Sequence, residues 1–342
     1  MAGSGKPLIS FVIPFFNNHP FLKDCLQSVH AYTKCDFEII LIDDASSDTA
    51  YRADLPKTVT LLCNDTRCGA SFSRNRGIEA ASSTYICFLD SDDKIMRDPE
   101  ELILAADALA ASIPVEAVPL IAGRLAKREG HQPSQAILQP RLGNVDNDPL
   151  LIQLNDFYTL LYRRDWLKQR GLRFDPDLTY SEDVLFLLGC IAEAEHVCVT
   201  GLDFYDYRRR GNSLTEAANS IEKLHNRMVF FEKMAQVIAP FGDSAGFRLA
   251  KAYKWNIRLL LDLADQLNEH DLRAILTEKT KLYGQYLTET SMKSAAKSFG
   301  FSWAAEDSEL LSIFQSDDID RLVYALHSGR VEKLFSPFIK RG

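Results

Sequence analysis

Residues 85–93 read Tyr-Ile-Cys-Phe-Leu-Asp-Ser-Asp-Asp, an apolar run that leads directly into three carboxylates within four positions. Such a run is typical of a buried strand in an α/β sheet, whose carboxyl end is where open α/β folds bind ligands. Because side chains alternate along a strand, we expect Asp90 and Asp92 to point to the same side. Two oxygen ligands there suit a hard divalent cation. An acidic turn after a strand is the alternative that these residues leave open.

The composition predicts a globular protein of about two domains, with 46% hydrophobic and 25% charged residues in 342. No segment approaches the ~20 apolar residues that span a bilayer, and the N-terminus lacks the apolar core of a signal peptide. Seven cysteines without a CxxC pair favour a reducing cytoplasm, and scattered histidines argue against zinc. A net charge of −8 argues against nucleic acid as a partner. We therefore expect a cytoplasmic protein.

Strand-like and helical periods alternate over the first hundred residues. The strands are predicted over residues 8–13, 37–42, 59–63 and 85–89, and the helices over 20–32, 70–81 and 100–111. Apolar strands that alternate with helices predict an α/β fold with a mainly parallel sheet flanked by helices.

The periodicity changes twice farther along the chain. Residues 123–150 are rich in Gly and Pro and predict a long excursion with short strands. From about Asn219 the pattern is helical, and its amphipathic stretches are 221–238, 247–267, 272–287 and 319–326. We predict a boundary within 212–220, which gives a sheet domain over 1–215 and a helical domain over 216–342.

Polar residues follow the other predicted strands at the same edge of the sheet. The first strand ends in Pro14-Phe15-Phe16-Asn17-Asn18, and the second ends in Asp43-Asp44. A carboxylate at such a strand end can accept the imide N–H of uracil. Helix capping is the alternative for both residues and the role that we expect for Asp48.

A basic segment follows the third predicted strand. Arg74 lies early in the next helix, where its guanidinium can complement a diphosphate or order the acidic residues. For Arg76, a structural ion pair is an equally good interpretation.

These segments together resemble the family 2 glycosyltransferases of the GT-A fold, of the bacterial surface-polysaccharide kind. The matching segments are 9–17 (ISFVIPFFN), 42–48 (IDDASSD), 69–77 (GASFSRNRG), 88–93 (FLDSDD), 161–166 (LYRRDW), 171–175 (GLRFD), 180–186 (YSEDVLF) and 205–213 (YDYRRRGNS). The order and spacing of the first four are specific, and the resemblance covers roughly residues 8–215. It implies a nucleotide-sugar-binding catalytic domain over 1–215.

The resemblance implies an inverting, metal-dependent hexosyl- or N-acetylhexosaminyltransferase. The donor would be a nucleotide diphosphate sugar, for which we expect a UDP-sugar, and the acceptor would be a hydroxyl of a glycan or lipid-linked glycan. The implied donor-binding residues are Pro14, Phe16, Asn17, Asp43, Asp44, Arg74, Asp90, Ser91, Tyr207, Arg208 and Arg210.

The metal and the catalytic base are also implied by the resemblance. The Asp90-Ser91-Asp92 stretch matches the family's DXD pattern, so Asp92, supported by Asp90, would hold Mn²⁺ or Mg²⁺, and Asp93 would be structural. Asp183 would act as the catalytic base with Glu182 as its neighbour, unless the pair only caps the next helix. A basic solvated loop is the alternative for Arg209 and Arg210.

Two departures from the family pattern put acceptor specificity in doubt but remove no charged group. Phe15-Phe16 stands where a small residue and tyrosine are common, and Ser73 replaces the alanine common before Arg-Asn.

Two other classes of protein fit the sequence less well than a transferase. A sugar nucleotidylyltransferase would carry a glycine-rich loop after the first strand, and this chain has none there. A non-catalytic subunit of a glycan assembly complex would not need the complete acidic sets. For the C-terminal helices, packing on the catalytic domain, homo-oligomerisation and peripheral docking on the inner face of the membrane all stay open. The basic and apolar residues in 330–341 allow the last of these.

Overall fold

The computed structural model describes residues 6–110, 113–126, 139–208 and 220–242, and single residues or short stretches between 245 and 286. The chain divides into two compact units, residues 1–211 and 212–342. This division falls at the amino-terminal edge of the segment in which the sequence predicts a boundary. The roles expected for the two domains stay predictions.

Nine strands and five helices form the described part of the first unit. The strands are β1 (Ile9–Phe15), β2 (Phe37–Asp43), β3 (Val59–Cys63), β4 (Tyr85–Phe88), β5 (Lys94–Ile95), β6 (Leu120–Leu125), β7 (Arg141–Gly143), β8 (Leu160–Arg163) and β9 (Val197–Asp206). The helices are α1 (His19–Tyr32), α2 (Gly69–Ala80), α3 (Pro99–Ala110), α4 (Arg164–Gln169) and α5 (Glu182–Glu193).

All nine strands belong to one sheet, in the order β3-β2-β1-β4-β8-β6-β9-β5, with β7 paired to β9. The first four neighbours are parallel, as expected. The rest of the sheet is mixed, because β8 runs antiparallel to both β4 and β6, and β9 runs antiparallel to β5 and β7. The sequence predicts a mainly parallel sheet because the periodicity of its first hundred residues describes only the parallel half.

Helices cover both faces of the parallel half. The side chains of Phe11, Ile13 and Phe15 belong to one core cluster with the apolar face of α1 on one face of the sheet, and α3 continues that cluster against β6 and β9. On the other face, α2 approaches β1 so closely that a Cβ on Gly77 would lie 2.2 Å from a methyl carbon of Val12. Strands β1, β2 and β4 are therefore largely buried on both sides, which explains their nearly continuous apolar sequences, whereas the edge strand β3 is partly exposed.

The acidic residues after β4 lie in a turn. The strand ends at Phe88, and the N–H of Asp93 donates to the carbonyl oxygen of Asp90 at 3.0 Å. The alternation argument for Asp90 and Asp92 is therefore wrong, since it requires an extended backbone through both residues. The Gly- and Pro-rich excursion contains β7 and the end of β6, which begins ahead of it.

In the second unit, α6 (Ile221–Ile238) has the predicted bounds and is capped by Ser220, whose Oγ accepts the N–H of Lys223 at 3.1 Å. The described residues of the predicted helix 247–267 are mostly helical. The predicted stretch 319–326 and the basic tail 330–341 lie outside the described residues.

Within the part of the chain that is described, no helix combines the length and the apolar character needed to cross a bilayer.

Candidate functional site

The carboxyl ends of β1, β2 and β4 meet at one edge of the sheet, where side chains tie their loops together. Asn17 donates its backbone N–H to Ser46 Oγ at 3.0 Å, and its Oδ1 accepts the N–H of Ser47 at 3.0 Å. Asn18 Nδ2 donates to Ser91 Oγ at 3.2 Å. Three of the segments predicted to form the site are thus brought together.

Left-handed backbone is concentrated at this site. In the described ranges, the non-glycine residues with positive φ are Asn17 (47°), Ala45 (61°) and Ser181 (65°). They follow β1, follow β2 and precede α5, respectively. Such conformations cost free energy and tend to persist where a site requires them.

Asp43 is fully buried and held by three donors. Its carboxylate accepts the N–H of Ser46 at 2.8 Å, the hydroxyl of Tyr51 at 2.6 Å and Arg52 Nη2 at 2.9 Å. Burial raises the pKa of Asp43, but these hydrogen bonds outweigh it and leave the pKa below its usual value. Asp43 is therefore a fixed anion with little access to solvent.

Asp44 caps the helix that follows the next strand. Its Oδ2 accepts the N–H of Gly69 at 2.8 Å, and its Oδ1 accepts the N–H of Cys68 at 2.8 Å and Asn64 Nδ2 at 2.7 Å. The capping role considered for Asp44 therefore applies to α2. Asp44 reaches this helix because β2, which precedes Asp44, and β3, which precedes α2, are neighbours in the sheet. One of the carboxylate's four acceptor positions remains for another donor.

Arg74 is buried and joins two acidic segments that are far apart in sequence. Its Nη2 donates to Asp90 Oδ1 at 2.9 Å, and its Nη1 donates to Glu182 Oε1 at 3.0 Å. The guanidinium carbon lies 4.6 Å from the ring centroid of Phe157 and 5.3 Å from that of Phe174. Of the two roles predicted for Arg74, the ordering of the acidic residues is the one that these contacts describe.

The aromatic contacts of Arg74 depend on the residue that follows it. Asn75 Oδ1 accepts the N–H of Phe174 at 2.8 Å, and Asn75 Nδ2 donates to the carbonyl oxygen of Phe174 at 2.8 Å. Phe174 in turn stacks on Phe186 of α5, with ring centroids 3.9 Å apart. This reciprocal pair of hydrogen bonds fastens the segment before α5 to α2.

The acidic pair lies in the first turn of α5, where the helix dipole favours negative charge. Burial raises the pKa of Glu182 to about 7; the charge of Asp183 adds to the rise and Arg74 opposes it. Burial also raises the pKa of Asp183, again against the influence of Arg74. Glu182 can thus gain or lose a proton near neutral pH, and the pKa of the adjacent Asp183 is shifted in the same direction.

Asp93 and Tyr205 fasten the acidic turn to β9. The hydroxyl of Tyr205 donates to Asp93 Oδ2 at 2.9 Å and accepts the N–H of Asp90 at 3.1 Å. Asp93 Oδ1 accepts the backbone N–H of Arg208 at 2.6 Å. Burial, followed by the charge of Asp90, raises the pKa of Asp93 to about 8. These contacts suit the structural role expected for Asp93.

The tyrosine-arginine segment contacts α1. Arg208 Nη2 donates to Asp24 at 2.9 Å, and its guanidinium carbon lies 4.8 Å from the ring centroid of Phe21. Tyr207 lies parallel to Tyr158, with centroids 6.0 Å apart. Arg208 therefore borders the acidic turn through the bond from its backbone N–H to Asp93, Tyr207 lies beside Tyr158, and Arg210 lies outside the described residues.

The remaining predicted residues line the loop after β1. Pro14 is partly exposed, and Phe16 is exposed with the guanidinium of Arg67 4.2 Å from its ring centroid. An exposed aromatic face with an arginine above it can hold a planar base.

The donors at the acidic turn are all oxygen atoms, which suits a hard cation such as Mg²⁺ or Mn²⁺. Asp92 is partly exposed. Asp90 accepts the hydrogen bond from Arg74 through Oδ1 alone. Among the described residues, no group of three or more Asp, Glu, His or Cys side chains is arranged around a common centre. Mg²⁺ is commonly held by one or two carboxylates and the phosphates of a substrate, and Asp92 with Asp90 fits that pattern.

Several residues of the site were not predicted from the sequence. They are Tyr51, Arg52, Asn64, Phe157, Tyr158 and Tyr205, all of which act on a predicted residue through a contact distant in sequence or through a turn. Their residue types are common in cores and loops, so composition and periodicity do not distinguish them.

The chain was compared with known proteins. A family model described as glycosyl transferase family 2 matches residues 10–171. The uncharacterized glycosyltransferase EpsJ of Bacillus subtilis is 30% identical over 220 residues, which are 61% of this chain and 63% of that protein. The succinoglycan biosynthesis protein ExoO of Rhizobium meliloti is 26% identical over 309 residues, which are 85% of this chain and 86% of that protein.

A solved structure shares the fold. The crystal structure of S. aureus TarS 1-349 in complex with UDP matches with a TM-score of 0.68 at 17% identity, over 94% of this chain and 91% of that one. The predicted GT-A fold is thereby confirmed. The family model and the uncharacterized glycosyltransferase of Haemophilus influenzae, which is 31% identical over 202 residues (55% of this chain and 74% of that protein), show that the chain belongs to glycosyl transferase family 2.

Proposed function

We propose that the chain transfers a sugar from a UDP-sugar to a hydroxyl of a glycan or lipid-linked glycan during polysaccharide synthesis, with inversion at the anomeric carbon. One observation carries the proposal: buried Arg74 joins Asp90, on the donor side, to Glu182, beside the candidate base. This cation places an acidic turn suited to a nucleotide diphosphate next to a pair of carboxyl groups suited to proton transfer. The TarS structure with UDP and the name of ExoO support the donor and the acceptor class.

The base of the nucleotide would be recognised at the ends of β1 and β2. Each of the two carboxylates accepts three hydrogen bonds. Asp44 is the better candidate for accepting the imide N–H of uracil, because Asp43 is fully buried and its charge is paired with Arg52, whereas Asp44 is 5% exposed and its three donors are uncharged. The base would lie against the ring of Phe16 with Arg67 over it.

The diphosphate would lie at the acidic turn. Asp92, with Asp90, would hold Mg²⁺ or Mn²⁺, and such an ion when bound supplies positive charge to the leaving diphosphate. Arg208 lies in the same part of the site. If its guanidinium exchanged the hydrogen bond to Asp24 for one to a phosphate oxygen, the positive charge of Arg208 would stabilise the diphosphate of the donor.

Asp183 would act as the general base. Glu182 Oε1 is engaged by Arg74, so Asp183 is the member of the pair better placed to accept a proton. Its carboxylate would take the proton of the acceptor hydroxyl as that oxygen bonds to the anomeric carbon. The bond from the anomeric carbon to the diphosphate oxygen breaks, and UDP leaves with that electron pair. General base catalysis of this kind contributes about 10²–10⁴-fold.

Replacement of the base tests the mechanism. Asp183→Asn should lower transfer at least about 100-fold, while UDP binding in titration calorimetry stays within about threefold of wild type. The matched control is Asp107→Asn, an exposed position on α3 away from the site. Transfer near the wild-type rate in Asp183→Asn would show that the base is assigned wrongly. Loss of UDP binding together with transfer would assign Asp183 to the donor site instead.

A further inference from the structure

Ser73 is a buried polar side chain for which the transfer reaction has no direct use. It is fully buried on α2. Its Oγ accepts a hydrogen bond from Asn64 Nδ2 at 3.1 Å. A buried hydroxyl with a side-chain amide partner can orient that amide, which is a role beyond packing.

Asn64 is engaged at every polar atom. Its Nδ2 has two hydrogens, which it donates to Asp44 Oδ1 at 2.7 Å and to Ser73 Oγ at 3.1 Å. Its Oδ1 accepts Arg76 Nη1 at 2.6 Å. If the side-chain amide of Asn64 rotated so that its oxygen and nitrogen exchanged places, it would lose all three hydrogen bonds. Ser73 and Arg76 together therefore fix the direction from which Asn64 donates to Asp44.

The fixed orientation of Asn64 affects the carboxylate of Asp44. With Asn64, Cys68 and Gly69 as donors, three of its four acceptor positions are filled. The direction of the fourth is set by the first three. A carboxylate with one fixed acceptor position can distinguish uracil, whose ring N3 carries a hydrogen, from cytosine, whose N3 carries none.

We propose that Ser73 is a positioning residue for recognition of the nucleotide base: through Asn64 it fixes Asp44, and it thereby increases the preference of this chain for uracil over cytosine. The proposal rests on the proposed function of Asp44 as the acceptor of the imide N–H. Ser73 itself touches neither base nor sugar. Its effect is on the orientation of the residue that does.

The test measures the affinities of the full-length chain for UDP and for CDP by titration calorimetry, each with the same divalent cation. Ser73→Ala should weaken UDP binding by roughly 3- to 10-fold and CDP binding by less than about twofold, because it removes one hydrogen bond from the network that fixes Asp44. The matched control is Ser82→Ala, an exposed serine at the amino-terminal end of β4, which should leave both affinities unchanged.

A double-mutant cycle separates positioning from simple loss of stability. Asn64→Ala should lower the UDP to CDP ratio at least as much as Ser73→Ala, and the two substitutions together should lower it no further, because Ser73 acts through Asn64. A general loss of stability would instead weaken both nucleotides alike, and additive effects on the ratio would likewise overturn the proposal.

Asp44→Asn distinguishes failure of this inference from failure of the proposed function. If Asp44→Asn lowers the UDP to CDP ratio and Ser73→Ala does not, the positioning role of Ser73 is wrong and base recognition by Asp44 stands. If Asp44→Asn leaves the ratio unchanged, Asp44 does not read the base, and both proposals fall.

Discussion

At the scale of single residues, Arg74 sets the electrostatics of the candidate site. Its guanidinium is buried between Asp90 and Glu182, and these charges raise the pKa of Arg74 despite the opposing effect of burial. Removal of one partner of such a buried pair leaves the other charge uncompensated. Arg74 therefore compensates the charges of two carboxylates while its guanidinium lies over the aromatic rings of Phe157 and Phe174.

The pH dependence of transfer should report the acidic pair. Because a general base acts in its ionised form, transfer should fall as the pH falls through the raised pKa values of the pair, of which that of Glu182 is about 7. Glu182→Gln removes a neighbouring negative charge, which lowers the pKa of Asp183, and the acid limb of kcat/KM should move to lower pH by roughly one unit. The profile is measured between pH 5 and 9 with saturating cation.

The control for this prediction lies on the same helix. Glu193→Gln removes the exposed partner of Arg170 at the far end of α5 and should leave the acid limb in place. If the acid limb of kcat/KM were unchanged in Glu182→Gln, the ionisations of Glu182 and Asp183 would not be coupled.

The sequence predicts which of these residues share an edge, but not which of them pair. Asp44, Arg74 and Asp90 follow strands or begin a helix, so their common location follows from the predicted fold. The bond from Arg74 to Glu182 spans 108 residues, and its partner depends on how α5 is placed by Asn75 and Phe174. No local pattern carries that information.

At the scale of elements, helices and strands with a long local period were predicted to within two residues, as α1, α6 and β3 show. Helix α4 and the strands β5, β8 and β9 are not predicted, and these strands have two, four and ten residues. Their strand character depends on partners, since β8 is held between β4 and β6, and β9 pairs with β5, β6 and β7. Strands defined by their neighbours escape periodicity analysis.

From the close packing of α2 on the sheet we predict a change in the free energy of unfolding. Gly77→Ala would place a Cβ 2.2 Å from Val12 Cγ1 and 3.2 Å from Ile42 Cδ1, and both side chains belong to strands that cannot move independently. We expect a loss of about 1–3 kcal/mol in the free energy of unfolding, measured by urea denaturation.

The matched control is Gly189→Ala on α5, where the nearest atom to the new Cβ is 3.8 Å away. Here alanine should stabilise by about 0.5–1 kcal/mol, because the helix no longer bears the conformational entropy of glycine. Equal effects of the two substitutions would contradict the close approach of α2 to β1.

At the scale of the whole molecule, the described residues of the candidate site all belong to the first compact unit. They extend from Pro14 to Arg208, and that unit comprises residues 1–211. The second unit contributes α6 and further helical residues. We propose that the first unit binds the donor by itself and that the second serves packing, oligomerisation or membrane docking.

A fragment of residues 1–215 tests this division of roles. The fragment has its own core on both faces of the sheet, so we expect it to fold and to bind UDP within about threefold of the full-length chain. Far-UV circular dichroism and a cooperative thermal transition establish folding, and titration calorimetry gives the affinity. Full-length chain carrying Asp44→Asn is the control for specific binding. A fragment that does not fold would show that the unit depends on the helices, and a folded fragment without UDP binding would show that the helices contribute to the donor site.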